Sequence, residues 1–69
     1  MKVVKVTSSH ALVEMDMGEL LVINNALNEV CNGIDIPEFD TRIGASIADT
    51  RLLLGRIGQI IDDMSQAGR

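Results

Sequence analysis

The stretch from Lys2 to Glu19, KVVKVTSSHALVEMDMGE, decides the fold because its hydrophobic period changes partway through. Residues 2–7 (KVVKVT) and 11–15 (ALVEM) are rich in β-branched and apolar side chains, and the polar cluster Ser8, Ser9, His10 separates them. That pattern signals a β-hairpin with a short loop. Simple alternation sets Val4 and Val6 on one face of the first strand and Val3 on the other. Asp16-Met17-Gly18-Glu19 then reads as a capping box: Asp16 accepts from a first-turn amide and Glu19 reaches back to the cap. The helix it opens runs to Gly33, which suits a left-handed position after Asn32. Leu20, Ile23, Leu27, Val30 and Ile34 recur at helical spacing as its buried stripe.

Two more helix starts follow. Asp35-Ile36-Pro37-Glu38 has the form of a second capping box, with Pro in the first turn, where its missing N–H does no harm. This helix is short and ends at Gly44, with Phe39 and Ile43 one turn apart on its inner side. Ser46-Ile47-Ala48-Asp49 opens a long amphipathic helix with Leu53, Leu54, Ile57, Ile60, Ile61 and Met64 facing inward, and the tail from Ser65 to Arg69 is expected to fray. Gly55 and Gly58 lie inside this helix at a cost of about 1 kcal/mol each relative to Ala. Close packing of a neighbouring backbone is favoured over a break there. The expected class is α+β: an N-terminal two-stranded antiparallel hairpin packed on three helices, in the order β-β-α-α-α. Loops are short throughout, so residues 1–69 are expected to form a single domain.

Composition narrows what such a chain does. Its 69 residues allow one small core, and domains of this size bury only about 60% of their unfolded surface. With no disulfide or metal to staple it, association is the expected support, a homodimer through the hairpin whose open edges Lys2 and Lys5 either guard or leave as a seam. No apolar run is long enough to span a bilayer, and MKVVKVTSSH lacks the apolar region of a signal peptide. The lone Cys31 excludes an intrachain disulfide and points to a reducing, cytoplasmic setting. One Cys and one His cannot make a four-ligand zinc site, and no cofactor is expected. Ten acidic against six basic residues give a net charge of −4, which repels nucleic acid and anionic lipid.

Few residues carry a chemical signal. Asn24, Asn28 and Asn32 stand at i, i+4, i+8 as a polar ridge, with Asn25 and Glu29 beside them. Asn is a poor helix former, so the cluster suggests a hydrogen-bonding recognition face. His10 is expected as a solvated loop residue and Cys31 as buried packing. The carboxylate pairs Asp62/Asp63 and Glu38/Asp40 lack the cleft and split environments of an acid–base pair, so no catalysis is expected. Residues 36–54 have the outline of a helix-turn-helix, with Gly44 at the turn and Thr50, Arg51 and Arg56 facing outward. Two arginines on an acidic chain are too few to neutralise a run of phosphates.

The segment from Asn24 to Gly44, NNALNEVCNGIDIPEFDTRIG, resembles a stretch of small, largely uncharacterised bacterial proteins, some of them associated with immunity proteins encoded beside toxins. The likeness covers about a third of the chain and rests on NNALNEVCNG and IPEF. The likeness brings no assigned activity and no functional residues with it. Small size, acidity and the absence of a catalytic pattern lead to the expectation of a non-catalytic module that covers a site on a partner protein such as a basic toxin. The residues expected at that surface are Asn24, Asn25 and Asn28 for hydrogen bonds, and Glu29, Asp35, Glu38 and Asp40 for charge complementarity. The alternative is a small helix-turn-helix DNA-binding regulator.

Overall fold

A computed structural model describes residues 1–68. Strands β1 (Lys2–Val6) and β2 (Ala11–Glu14) form a two-stranded antiparallel sheet, followed by helices α1 (Met17–Asn28), α2 (Phe39–Ile43) and α3 (Ile47–Ala67). The class is α+β in the expected order. The hairpin turn is organised by Thr7, whose hydroxyl oxygen accepts from the Ser9 and His10 amides at 3.4 and 3.0 Å, while its amide donates to the His10 carbonyl at 2.8 Å. Such a hydroxyl substitutes for backbone partners that the four-residue polar loop, Thr7 to His10, does not itself supply.

The register corrects the strand faces. Lys2 pairs with Glu14, Val3 with Val13, Lys5 with Leu12 and Val6 with Ala11, and the shift between Val3 and Lys5 leaves Val4 as a bulged residue. Cross-strand partners share a face. Val3, Val6, Ala11 and Val13 therefore line one side, and Lys2, Lys5, Leu12 and Glu14 the other. Alternation alone sets Val3 opposite Val6; the extra residue at Val4 rephases them. The expectation that this hairpin packs on the helices also fails, since every residue of both strands is exposed. Only Met15 and Asp16 connect β2 to α1. Asp16 is locked as the helix cap, and the Met1 ammonium pairs with Glu19 at 2.5 Å, so the hairpin is held off the end of the helical layer.

The capping box at Asp16 is complete: the Glu19 amide donates to Asp16 Oδ1 at 2.8 Å and the Asp16 amide donates to Glu19 Oε1 at 3.1 Å. After Asn28 the helix widens into a π-helical turn, Glu29–Gly33, closed by the Ile34 amide donating to the Glu29 carbonyl at 3.0 Å. Gly33 consequently needs no left-handed backbone, contrary to expectation, because the wide turn satisfies the terminal carbonyl instead. The second start is displaced too. Pro37 disfavours helical geometry at Ile36, Glu38 turns left-handed with φ 54°, and α2 begins at Phe39 with no side-chain cap. α2 ends as expected at Gly44, φ 88°. Ser46 caps α3 by accepting from the Asp49 amide at 3.1 Å. α3 runs unbroken through Gly55 and Gly58 to Ala67, so the tail is helical rather than frayed as far as that residue; Arg69 lies outside the described residues.

α1 and α3 pack antiparallel, with Asn24 beside Gly58 and Cys31 bonded to Arg51. Among the described residues only Leu20, Cys31 and Thr50 are buried, each at 4–5% exposure. Around them Ile23, Leu27 and Val30 of the α1 side meet Leu54, Ile57 and Ile61 of α3, all half-buried. Ile34, expected in the stripe, is exposed because the π-helical turn ends before it. Leu53, Ile60 and Met64, expected inward, form a second stripe at i, i+7, i+11 that α1 does not reach, and they remain exposed. The apolar arc of α3 is wider than one neighbouring helix covers.

Close backbone approach does not explain the helix glycines. A Cβ on Gly55 would meet nothing within 4 Å, and one on Gly58 would stand 3.7 Å from Asn24 Oδ1, an ordinary contact. Gly55→Ala and Gly58→Ala should each raise unfolding stability by about 0.5–1 kcal/mol in urea titrations. Gly44→Ala should lower it by about 1 kcal/mol, because its φ of +88° strains any side chain. The bond from the Met1 ammonium, then the Asp16 amide, lowers the Glu19 pKa below 4.5. A depressed carboxylate contributes stability above its unfolded value and loses it on acidification. Helicity followed by circular dichroism should therefore weaken as pH falls below about 4.5, and Glu19→Gln should flatten that dependence.

Candidate functional site

At the end of the helical layer remote from the hairpin, three local features converge: the π-helical turn, the Pro37–Glu38 turn and the start of α3. They enclose a shallow cleft of about 370 Å³ whose lining includes the apolar Val30, Ile34, Ile36, Phe39 and Ile47 and the polar Asn32 and Asp35, with Cys31 beside them. Cys31 is buried at its wall, as expected for a packing residue. The Arg51 guanidinium donates to the Cys31 carbonyl at 3.3 Å, so α3 helps to satisfy the end of the first helix.

Glu29, Asp35, Glu38 and Asp40 all come from the segment that forms this end, and all four are exposed. Among the described residues the one ion pair is Met1 with Glu19, so none of the four is neutralised by a side chain there. The Glu29 carboxyl lies over Gly33, where a Cβ would come within 2.5 Å of Oε2. Glu38 is the one non-glycine residue with positive φ among those described. Left-handed backbone costs such a residue roughly 1–2 kcal/mol.

The Asn ridge divides. Asn24 is half-buried at the seam between α1 and α3, whereas Asn25 and Asn28 are exposed and Asn28 Oδ1 accepts from Asn32 Nδ2 at 2.9 Å. At 3.6 residues per turn, each i+4 step advances roughly 40° around the helix. A ridge spaced this way winds from the covered seam at Asn24 to solvent at Asn32. Asn24 is thus partly covered, whereas Asn25, Asn28, Glu29, Asp35, Glu38 and Asp40 are exposed.

The positions assigned to a DNA-reading helix are also redistributed. Thr50 is buried and its hydroxyl donates to the Ser46 carbonyl at 2.8 Å, and Arg51 is engaged at Cys31; Arg56 is exposed. His10 is exposed in the hairpin turn, with Nδ1 2.9 Å from Ser9 Oγ. No group of three or more His, Cys, Asp or Glu among the described residues is placed to hold a metal ion, and no helix of the structure is long and apolar enough to cross a membrane.

The apolar lining was missed in sequence. Ile34, Ile36 and Phe39, three apolar residues around Pro37 within a run of carboxylates, were the available signal. Comparison with protein-family models, curated proteins and solved structures finds no significant match.

Two substitutions separate scaffold from surface. Arg51→Ala should lower unfolding stability by about 1 kcal/mol by leaving the Cys31 carbonyl without its donor. Asn28→Ala, which removes only a solvent-exposed bond, should stay within about 0.5 kcal/mol of the parent.

Proposed function

We propose that this chain is a non-catalytic protein-binding module, of an immunity or antitoxin type, whose recognition surface is the acidic end of the helical layer. The observation that carries this reading is the cleft lined by Val30, Ile34, Ile36, Phe39 and Ile47 together with Asp35, in a segment whose other carboxylates, Glu29, Glu38 and Asp40, are exposed and paired with no side chain among the described residues. A surface of that kind fits a basic partner segment. An apolar side chain of the partner fills the cleft against Phe39 and Ile36, while its Arg or Lys residues meet Glu29, Asp35, Glu38 and Asp40. Asn25 and Asn28 add hydrogen bonds at the edge. Desolvated apolar contact supplies most of the affinity in such an arrangement, and the charges supply on-rate and selectivity. Covering a basic site on a toxin requires no reaction by the covering protein, only complementarity.

The left-handed Glu38 supports the same reading, because non-glycine residues held in such backbone cluster at binding sites.

Affinity capture with the tagged chain, followed by identification and titration of the captured protein, tests the proposal. The captured protein should be basic, and binding should weaken as salt rises. Asp35→Lys together with Asp40→Lys should lower affinity at least tenfold, whereas Asn24→Ala should leave it unchanged. Glu38→Gly should raise thermal stability and at the same time weaken capture. Unchanged capture by the doubly reversed variant would contradict the proposal.

A further inference from the structure

The hairpin has one apolar and one mostly polar face, the pattern of a sheet built to be covered on one side. Its apolar face is Val3, Val6, Ala11 and Val13, and Val3 and Val6 are 58% and 68% exposed. The helical layer has a matching uncovered strip: Leu53, Ile60 and Met64 of α3, with Leu53 and Ile60 at 50% and 45%. The chain thus holds the sheet and helix layers of an α+β sandwich side by side instead of stacked. Its dimensions agree, 40 × 33 × 16 Å with a radius of gyration of 13.8 Å, where a compact chain of this length has about 11 Å. Its accessible surface is 5330 Å², against roughly 4,200 Å² for a compact monomer of this mass. The excess of about 1,000 Å² matches the roughly 800 Å² that each partner contributes to a standard stable interface.

We propose that the occupant of both surfaces is a second copy of this chain, with the hairpin of each copy lying across the exposed α3 stripe of the other about a two-fold axis. Isolated two-stranded hairpins are marginal in water. This one needs cover whenever the chain is folded, and the surface available at every concentration of the protein is another copy of itself. The faces select the arrangement. Lys2, Lys5 and Glu14 stand on the opposite face of the hairpin and stay in solvent when the apolar face is covered. Stacking hairpin on helices covers both apolar surfaces, whereas stacking hairpin on hairpin leaves the α3 stripe exposed. This interface uses none of the residues that line the cleft and does not depend on the function proposed for it.

Light scattering after size exclusion should give about 15 kDa, twice the 7.5 kDa of the chain. Val6→Lys and Ile60→Lys each remove one of the two complementary surfaces, so each variant alone should run as a monomer. Mixed in equal amounts they should recover dimers, because one intact hairpin then meets one intact stripe. Where either variant loses helical signal alone, the mixture should regain it. A parent chain of 7.5 kDa, an Ile60→Lys variant that stays dimeric, or a mixture that recovers neither mass nor helical signal would each overturn the proposal. Dimeric Ile60→Lys would indicate hairpins pairing with each other.

Discussion

The seam between α1 and α3 is the constraint on which the rest of the structure depends. Leu20, Cys31 and Thr50 are the only buried residues among those described, and all three lie on these two helices and the π-helical turn between them. Burying one Leu side chain contributes about 2 kcal/mol, so a core this thin leaves little margin. Directional contacts therefore matter more than usual. The complete capping box at Asp16, the Ser46 cap and the Arg51 donor to the Cys31 carbonyl fix where each helix starts and how its end is satisfied. Each is individually about 1 kcal/mol, yet together they set the antiparallel register that brings the covered stripes into contact.

That register has consequences at both ends of the layer. At one end the π-helical turn and the left-handed Glu38 let the chain reverse within a few residues, and the reversal forms the cleft that Asp35 helps to line. At the other end the locked Asp16 cap and the Met1–Glu19 pair project the hairpin away from the helices. A molecule this flat cannot cover both sides of its own helical layer. Its two exposed apolar surfaces follow from one backbone restriction at Met15–Asp16.

How much of this was legible in sequence depends on the range of the interaction. The capped starts at Asp16 and Ser46 and the stop at Gly44 are local, and they read correctly because each needs only three or four neighbouring residues. The faces of β1 did not, since the bulge at Val4 is settled by pairing with β2 rather than by alternation. Asn24 was assigned to a recognition surface because i+4 spacing suggests a straight ridge, while the real ridge winds across the helix into the seam. Gly33 and the second capping box failed for a related reason: the wide turn and Pro37 satisfy or restrict the backbone in ways that composition alone does not display. The cleft lining combined residues from four short segments, which no single motif marks. Asp35 and Glu38 in the turn and Asp40 on α2 are all exposed, as their charge alone would have it.

The central claim is that this chain is one layer of a structure completed by a second copy, so its stability belongs to the pair. Thermal unfolding measured across a hundredfold range of protein concentration tests it most directly. For a dimer of two 69-residue chains the midpoint should rise by about 5 °C for each tenfold increase in concentration. A midpoint that stays constant across that range would contradict the account.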